Sequence, residues 1–331
     1  MTITLGFGGD VMLGRLVDQV IQEKGPRYIW GDVLPLLQEP ALTFANLECV
    51  IAKKGEPFRP RRVFYFRAQP GAVKALTLAG IDYLSIANNH AMDFGEEALL
   101  ETIQHLDANG IAHAGAGKDL TEAAKPAFLK AGGIKIGVVA FADHFREYGA
   151  GINSPGTNII EVNVKKKNFQ RIGKAIQSAR DDGADLVVFS IHWGPNMRQE
   201  PTRKFVEFAH AVMDAGADIF HGHSAHIFQG IEIYKGKPIL YDTGELIDDY
   251  YVDPVLRNDQ QLLFLITVTP RGPQRIELIP LLIDEMQVNR AKGPDFTRIK
   301  ERVVRLSDAF GTDIVQEKDR FVVHADSISR R

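Results

Sequence analysis

Five short apolar segments of the chain each end beside a side chain that can bind a metal ion. The side chains at these ends are Asp10, Asn46 with Glu48, Asn89 with His90, His192, and His223. Titratable and amide groups that converge on one cleft are costly to desolvate unless a cation or a proton relay satisfies them. We therefore interpret the set as the site of an enzyme.

The strongest local signal is the segment HGHSAH, which places three imidazoles within residues 221–226. Packing seldom needs so many titratable rings together, so metal binding or catalysis is favoured there. Taken alone, the other groups have simpler explanations: Asp10 as a helix cap, residues 88–90 as a polar turn, and His192 as a core histidine. The combination favours function over each separate alternative.

The elements that position these groups form an alternating pattern. Short apolar runs that stop at Gly, Pro, Asn or Asp are typical of buried strands, and ligands of open α/β sheets gather at the carboxyl ends of the strands. Strand-like and helix-like runs alternate over residues 2–217, which predicts parallel βαβ units. The helices are expected over 14–24, 71–78, 96–109, 168–181 and 201–215. The pattern predicts a mixed α/β domain in which the five groups lie in one cleft.

Later segments add antiparallel strands. Hairpins are predicted over 127–141 and 229–242, and two further strands follow residue 261. A boundary within 289–294 divides the chain into a main domain, 1–290, and a C-terminal part, 291–331. That part is expected to contain a helix over 296–310, a short strand FVVH and a polar tail, 325–331, and to pack on the same domain.

Composition excludes some partners. A net charge of -3 on 331 residues gives no global attraction to nucleic acid or to an anionic membrane. Cys49 is the single cysteine, so an intrachain disulfide is impossible, and we expect a buried, inert thiol. No apolar span of 18 residues and no leader pattern occurs, which favours a cytoplasmic protein without a membrane segment.

An arginine and aromatic segment, PFRPRRVFYFR, contains Arg59, Arg61, Arg62 and Arg67. It is either a solvated loop or an anion-binding loop that flanks the site, and the residues alone do not decide between the two. We assign substrate binding to Asn46, Arg67, Arg15 and Glu245.

A family resemblance rests on six segments of the chain. They are GGDVMLGR, ANLE, SIANNHAMDFG, SIHWG, HGHSAHIFQGIE and KGKPILYDTGE. In order, they resemble the motifs of CapA-like proteins, the poly-γ-glutamate capsule biosynthesis family within the calcineurin-like metallophosphoesterase superfamily, over about residues 3–250. The resemblance implies a four-layer αββα sandwich with two facing mixed sheets and an active site at one edge.

The resemblance also implies roles for individual residues. Asp10 and His226 would bind a first metal, Glu48 would bridge, and Asn89, His192 and His223 would bind a second. His90 would be the general acid, acting with Glu48 and His192. Such mixed donors suit Mn²⁺, Fe or Zn²⁺, as one ion or two.

Two positions depart from the family pattern. Met12 stands where metallophosphoesterases usually have a histidine ligand, so the first metal would lose one ligand. Glu245 stands where many relatives have asparagine, and its carboxylate is a base, an extra ligand or a repulsive gate.

Three functions remain open at this point. The leading one is a metal-dependent hydrolase or transferase that acts on a phosphoester or on a peptide or γ-glutamyl substrate. The second is a metal-independent acid/base enzyme of the epimerase type. The third is a non-catalytic subunit that binds an anionic polymer in a capsule or polyglutamate assembly.

Overall fold

The structure is a computed structural model that describes residues 2–323, except for the side chains of residues 166–168. The predicted polar tail, 325–331, lies outside the described residues. In the order β1 to β20 the strands are Ile3–Val11, Leu42–Leu47, Val50–Ile51, Arg67–Ala68, Tyr83–Ser85, Ala112–Ala114, Ala116–Gly117, Ala127–Ala131, Ile134–Ala142, Gly156–Thr157, Leu186–His192, Ile219–His223, Ile231–Tyr234, Lys237–Leu240, Glu245–Ile247, Gln260–Thr269, Gly272–Asp284, Gln287–Arg290, Val315–Glu317 and Arg320–Val323.

Helices connect many of these strands. In the order α1 to α8 they are Arg15–Lys24, Leu34–Gln38, Val73–Ala79, Gly95–Ala108, Leu120–Ala123, Lys166–Asp181, Arg203–Asp214 and Gly293–Asp308. Short 3-10 helices span Tyr28–Val33, Pro70–Ala72 and Arg146–Tyr148. No helix of the described chain is both long and apolar enough to span a membrane.

The strands form two large mixed sheets. The first has the order β19-β20-β17-β16-β1-β2-β5-β6, with β15 also paired to β1 and β18 to β17. The second has the order β13-β14-β12-β11-β9-β8. Parallel pairs lie at the centre of each sheet, since β1 is parallel to β2 and β11 is parallel to both β9 and β12. The predicted hairpins are the antiparallel pairs β8–β9 and β13–β14.

Three apolar clusters show how the layers pack. One lies between the sheets and joins Phe7 and Phe44 of the first sheet to Val188 and Ile219 of the second. A second cluster packs α1 to α4 on the outer face of the first sheet, and a third packs α6 and α7 on the outer face of the second. The order is therefore helix, sheet, sheet, helix, which confirms the predicted four-layer αββα fold class. The period-2 alternation of side chains lets each strand face a different cluster on each side.

Parallel register brings the predicted site residues to one edge. Asp10 of β1 is the register partner of Asn46 of β2, and His192 of β11 is the register partner of His223 of β12. The carboxyl ends of parallel strands meet at the same edge of a sheet, so each pair lies at one sheet edge. Asp10 Oδ1 is 3.5 Å from His223 Nδ1, so the two edges meet at one end of the sandwich. Asp10 does not cap α1, whose N-cap position, Gly14, has no side-chain cap bond.

The predicted helices occur within a few residues of their expected bounds. The segment 71–78 begins instead as the 3-10 turn Pro70–Ala72 and becomes helical at Val73. At the C-terminal end, α8 places Ile299 and Val303 in the cluster between the sheets, and β20 pairs with β17.

Candidate metal centre

Two overlapping groups of side chains have the spacing of a metal site. The first contains Asp10, His192 and His223, and the second contains Asp10, Glu48, His226 and Glu245. Within each group the candidate ligand atoms lie within 4.8 Å of one another. Asp10 belongs to both groups, so it would be a ligand in either of them. The bridging role that the resemblance implies for Glu48 stays a prediction.

The first group joins the two sheets. Asp10 Oδ1 lies 3.5 Å from His223 Nδ1 and 3.8 Å from His192 Nδ1, and all three residues are fully buried. The two Nδ1 atoms are 3.0 Å apart, while His223 Nε2 lies 3.1 Å from Ser190 Oγ. Burial is the main reason that the pKa of each imidazole lies well below its usual value. Neutral imidazole is the form that binds a metal ion.

The second group is rich in carboxylates. Glu48 Oε2 lies 3.9 Å from His226 Nδ1, and the same nitrogen is hydrogen-bonded to Glu245 Oε1. The Asn196 amide is hydrogen-bonded to His226 Nε2 at 2.9 Å, and the Tyr250 hydroxyl donates to Glu48 Oε2 at 2.9 Å. These neighbours fix the orientation of the imidazole and of the carboxylate.

Several polar atoms at the centre have no partner. Asp10 Oδ2, Glu48 Oε1 and Glu245 Oε2 are buried without a hydrogen bond, and so is His192 Nε2, which lies 3.8 Å from Glu48 Oε1. Burial, followed by repulsion from neighbouring carboxylates, raises the pKa of Asp10 and of Glu245 well above the usual value. A buried carboxylate without a partner is costly. Cations held by the two groups would offset the charge of these carboxylates, so the residues present fit a transition-metal centre.

Asn46 orients the centre. It is fully buried, and its Nδ2 donates to Asp10 Oδ1 at 2.8 Å. Its Oδ1 accepts from Asn88 Nδ2 at 3.1 Å, and Asn88 also donates to the Leu47 carbonyl. Because both ends of the Asn46 amide are bonded within the protein, its contacts are those of a positioning residue. Its predicted role in substrate binding stays a prediction.

His90 lies beside the second group and has its own carboxylate. Its Nε2 lies 4.0 Å from Glu48 Oε1, and its Nδ1 lies 2.7 Å from Asp93 Oδ2. Asp93 also accepts from the Phe66 amide, and the Phe66 ring stacks on the imidazole at 3.9 Å between centroids. A carboxylate on Nδ1 directs Nε2 into the site, as a general acid requires.

Asn89 and Arg15 are two further residues that the sequence predicted for the site. Asn89 Oδ1 is buried without a hydrogen bond, which suits a ligand atom. Arg15 pairs with Asp249 at 3.1 Å, and its guanidinium lies 5.5 Å from the centroid of the Phe66 ring and 5.9 Å from that of Tyr250. It therefore lies over the two aromatic rings that contact His90 and Glu48.

In the arginine and aromatic loop, two arginines make contacts within the protein and two are exposed. Arg67 donates to the Gly55 carbonyl at 2.7 Å and lies 3.5 Å from the centroid of the Phe94 ring, so its contacts are structural. Arg62 pairs with Glu147, whereas Arg59 and Arg61 are exposed.

Cys49 and Met12, two residues singled out in the sequence, are both buried. Cys49 is buried as predicted, and burial raises the pKa of its thiol to about 12. Met12 is fully buried, and its sulfur accepts a hydrogen bond from the Gly14 amide at 3.1 Å.

Sequence reasoning missed three residues that hold the site, Asp93, Asn196 and Tyr250, and it named Asn88 only as part of the segment 88–90. Asp93 follows His90 by three residues, a spacing at which side chains in one turn meet, so that signal was present. Tyr250 and Asn196 lie in loops without a regular pattern, and no comparable signal marked them.

The chain is similar to several known proteins over most of its length. Residues 4–250 match the family model described as bacterial capsule synthesis protein PGA_cap. A probable polyglutamine synthesis accessory protein of Mycobacterium tuberculosis is 31% identical over 97% of this chain and 95% of its own length. The capsule biosynthesis protein CapA of Bacillus anthracis is 28% identical over 86% of this chain and 68% of its own length.

A similar relative is the PGA biosynthesis protein CapA of Bacillus subtilis, 28% identical over 86% of this chain and 72% of its own length. Among solved structures, a hypothetical protein from Thermus thermophilus aligns with 87% of this chain and 96% of its own, at 16% identity and a TM-score of 0.43.

Proposed function

Since the chain belongs to the bacterial capsule synthesis protein family PGA_cap, we propose that it is a metal-dependent hydrolase that cleaves a peptide or γ-glutamyl bond or a phosphoester. The observation that carries the proposal is the set of unpaired buried atoms Asp10 Oδ2, Glu48 Oε1 and His192 Nε2, whose residues belong to two groups with ligand spacing. Packing alone gives no reason to bury three such atoms without partners. The names of the relatives, which concern capsule and polyglutamine synthesis, favour the peptide-type substrate.

Asp10, Glu48, His192, His223, His226 and Glu245 would hold the metal, with Asn89 as a further ligand. One or two Mn²⁺, Fe or Zn²⁺ ions held there would supply a hydroxide nucleophile near neutral pH and neutralise the charge that develops on the substrate. Asn46 keeps the Asp10 carboxylate in place through its amide. The same centre would serve a transferase if the acceptor were an amine or a hydroxyl group instead of water.

His90 would donate the proton to the leaving group from Nε2. The Asp93 carboxylate at Nδ1 and the stacked Phe66 ring hold the imidazole in one orientation. Proton donation by a positioned histidine typically contributes about 10²- to 10⁴-fold in rate. Arg15, over the aromatic rings at the margin, is placed to meet an anionic part of the substrate.

Elemental analysis of the purified chain, combined with activity assays, tests the proposal. We expect one or two equivalents of transition metal, and hydrolysis of an oligoglutamyl peptide or of p-nitrophenyl phosphate that a chelator abolishes and Mn²⁺ or Zn²⁺ restores. His192→Gln should lose metal and activity together. His210→Gln, which changes a histidine paired with Glu232 at 2.9 Å away from the site, should keep both. A metal-free chain without metal-stimulated activity on either substrate would refute the proposal.

A second candidate is a non-catalytic accessory role, because the mycobacterial relative carries the word accessory in its name. In that case the metal centre would be structural. A His90→Gln variant that retains full biological function while His192→Gln unfolds would favour this second candidate.

A further inference from the structure

An open cavity of about 630 Å³ lies outside the metal centre, between α8 and the loop that precedes β16. Its volume falls in the range of about 300–1,000 Å³ that is common for small-ligand sites. We call it the arginine cavity, because four of the residues that line it are arginines. They are Arg257, Arg298, Arg302 and Arg305, and Glu301 lies among them.

Three of these arginines already have acidic partners. Arg257 makes two hydrogen bonds to Asp259, at 2.8 and 2.7 Å, and one to Asp295 at 2.9 Å. Arg298 lies 3.5 Å from Asp295. Arg305 lies 3.5 Å from Glu200. These pairs hold their guanidinium groups in place without a ligand.

Arg302 differs from the other three, since it makes no ion pair with any described residue. Its Nη1 donates to the Arg257 carbonyl and its Nη2 to Gln260 Oε1, both at a long 3.3 Å. The guanidinium is partly buried and lies 5.3 Å from the centroid of the Phe228 ring. A guanidinium has five N–H donors in a planar fork, so most of the hydrogen-bonding capacity of Arg302 remains for a ligand.

The cavity shares its walls with loops that contact the metal centre. Pro254, on its wall, follows Tyr250 by four residues, so their Cα atoms are at most about 14 Å apart. Gln199, on the same wall, follows Asn196 by three residues, at most about 11 Å away. A peptide of four to six residues bound at the centre is long enough to reach the cavity.

We propose that the arginine cavity is a subsite that binds a carboxylate side chain of an extended acidic peptide whose reacting bond lies at the metal centre. This inference rests on the proposed function and specifies its substrate class. The fork of Arg302 matches the geometry of a carboxylate in two parallel hydrogen bonds.

The charge balance favours a carboxylate over phosphate or nucleic acid. The four arginines face four acids, namely Glu200, Asp259, Asp295 and Glu301, so the cavity has no surplus charge to hold a dianion or a polyphosphate. A single negative charge placed against Arg302 gains an ion pair without strong repulsion from the rest.

Fluorescence anisotropy with labelled oligoglutamates tests the subsite. The full chain is kept in chelator, so that no peptide is cleaved, and is titrated at low ionic strength with labelled octaglutamate, diglutamate and octaglutamine. We expect Arg302→Gln to weaken octaglutamate binding about tenfold, the loss of one charge-assisted bidentate contact. Arg302→Lys should weaken octaglutamate binding less than Arg302→Gln does. Diglutamate is too short to reach the cavity, so neither variant should change its affinity.

Glu301→Gln, at an exposed side chain, should change octaglutamate affinity in the opposite direction to Arg302→Gln. It removes a negative charge from the cavity, so octaglutamate should bind two- to threefold more tightly even if Arg302→Gln folds poorly. Arg271→Gln, at an exposed hairpin turn, is the matched control and should change nothing.

The inference is overturned if neither Arg302→Gln nor Glu301→Gln changes octaglutamate affinity, or if octaglutamine binds equally well. It is also overturned if inorganic phosphate or a short DNA strand, and not octaglutamate, binds in a manner that depends on Arg302. Metal content and hydrolysis are measured separately. Loss of activity on every substrate with intact Arg302 dependence would therefore refute the proposed function alone.

Discussion

Asp10 and Glu245 are register partners on the parallel strands β1 and β15, and both carboxylates are fully buried. The Asp10 amide donates to the Gly244 carbonyl at 2.8 Å, so the backbones of the two strands are in direct contact beside these side chains. Glu48 and His226 complete this group. Three carboxylates at one buried point repel one another, and a cation bound among them would replace that repulsion by attraction.

Metal removal should therefore destabilise the chain, and Glu245→Gln should reduce the effect. A ligand present at 100 times its Kd stabilises a folded protein by about 2.7 kcal/mol. We expect chelator to lower the midpoint of thermal unfolding, and the chelated Glu245→Gln variant to be more stable than the chelated parent because one buried charge is gone. Calorimetry of both proteins, with and without Mn²⁺, measures this. Equal stability of the two chelated proteins would contradict the repulsion.

The chelated chain should also lose stability as the pH rises from 6.5 to 8. Burial raises the pKa of Asp242 to about 8 and that of Asp248 to about 7, above the value near 3.9 in an unfolded chain. A group whose folded pKa is raised contributes stability that is fully present below the unfolded pKa and is lost as the pH rises through the folded pKa. Burial lowers the pKa of His221 to about 4, below its unfolded value of about 6.5. His221 therefore makes the chain more stable as the pH rises, but only below about pH 6.5.

Urea unfolding of the chelated chain at several pH values between 6.5 and 8 measures the slope of the unfolding free energy against pH. Asp248→Asn is the matched variant, because Asp248 Oδ1 accepts from the Tyr250 amide and Oδ2 has no partner. Asparagine keeps the first bond and cannot ionise, so the slope should be smaller. A slope unchanged in Asp248→Asn would show that other groups cause it.

Much of the site could be predicted because each of these candidate ligands comes at the end of the strand that positions it. Asp10, Asn46, His192 and His223 each follow an apolar run, and parallel register pairs them within each sheet. The packing of the two sheets then brings Asp10 Oδ1 to 3.5 Å from His223 Nδ1. The four-layer order came from the resemblance, since period-2 patterns do not tell which sheet a strand joins.

The unpredicted parts depend on contacts between distant segments. Asp10 is common to both ligand groups because β15 pairs with β1 after a separation of more than 200 residues, which no local pattern reveals. The partners of Arg67 and Arg62 are set by the packing of loops, and so the sequence could not separate a structural arginine from a free one.

The His90 and Asp93 pair should control the rate and leave metal binding intact. We expect His90→Gln to lower kcat by about 10²- to 10⁴-fold, and Asp93→Asn to lower it less, with unchanged metal content in both. His113→Gln is the matched control, since His113 pairs with Asp107 at 3.1 Å on the surface. Steady-state kinetics with elemental analysis distinguishes the outcomes. Metal loss in His90→Gln would show that the imidazole is a ligand instead of an acid.

Gly9→Ala should damage the metal centre through the backbone. A Cβ at Gly9 would lie 1.9 Å from the Gly244 carbonyl oxygen and 2.3 Å from its carbon, so β1 and the segment before β15 would have to separate. That movement shifts Glu245 relative to Asp10, and we expect a loss of several kcal/mol in the free energy of unfolding together with weaker metal binding. Gly173→Ala is the control, because a Cβ there meets nothing within 4 Å and alanine in a helix gains about 0.5–1 kcal/mol. Urea unfolding and isothermal titration with Mn²⁺ measure both effects, and a Gly9→Ala variant with normal metal affinity would mean that the contact between these strands does not position the two carboxylates.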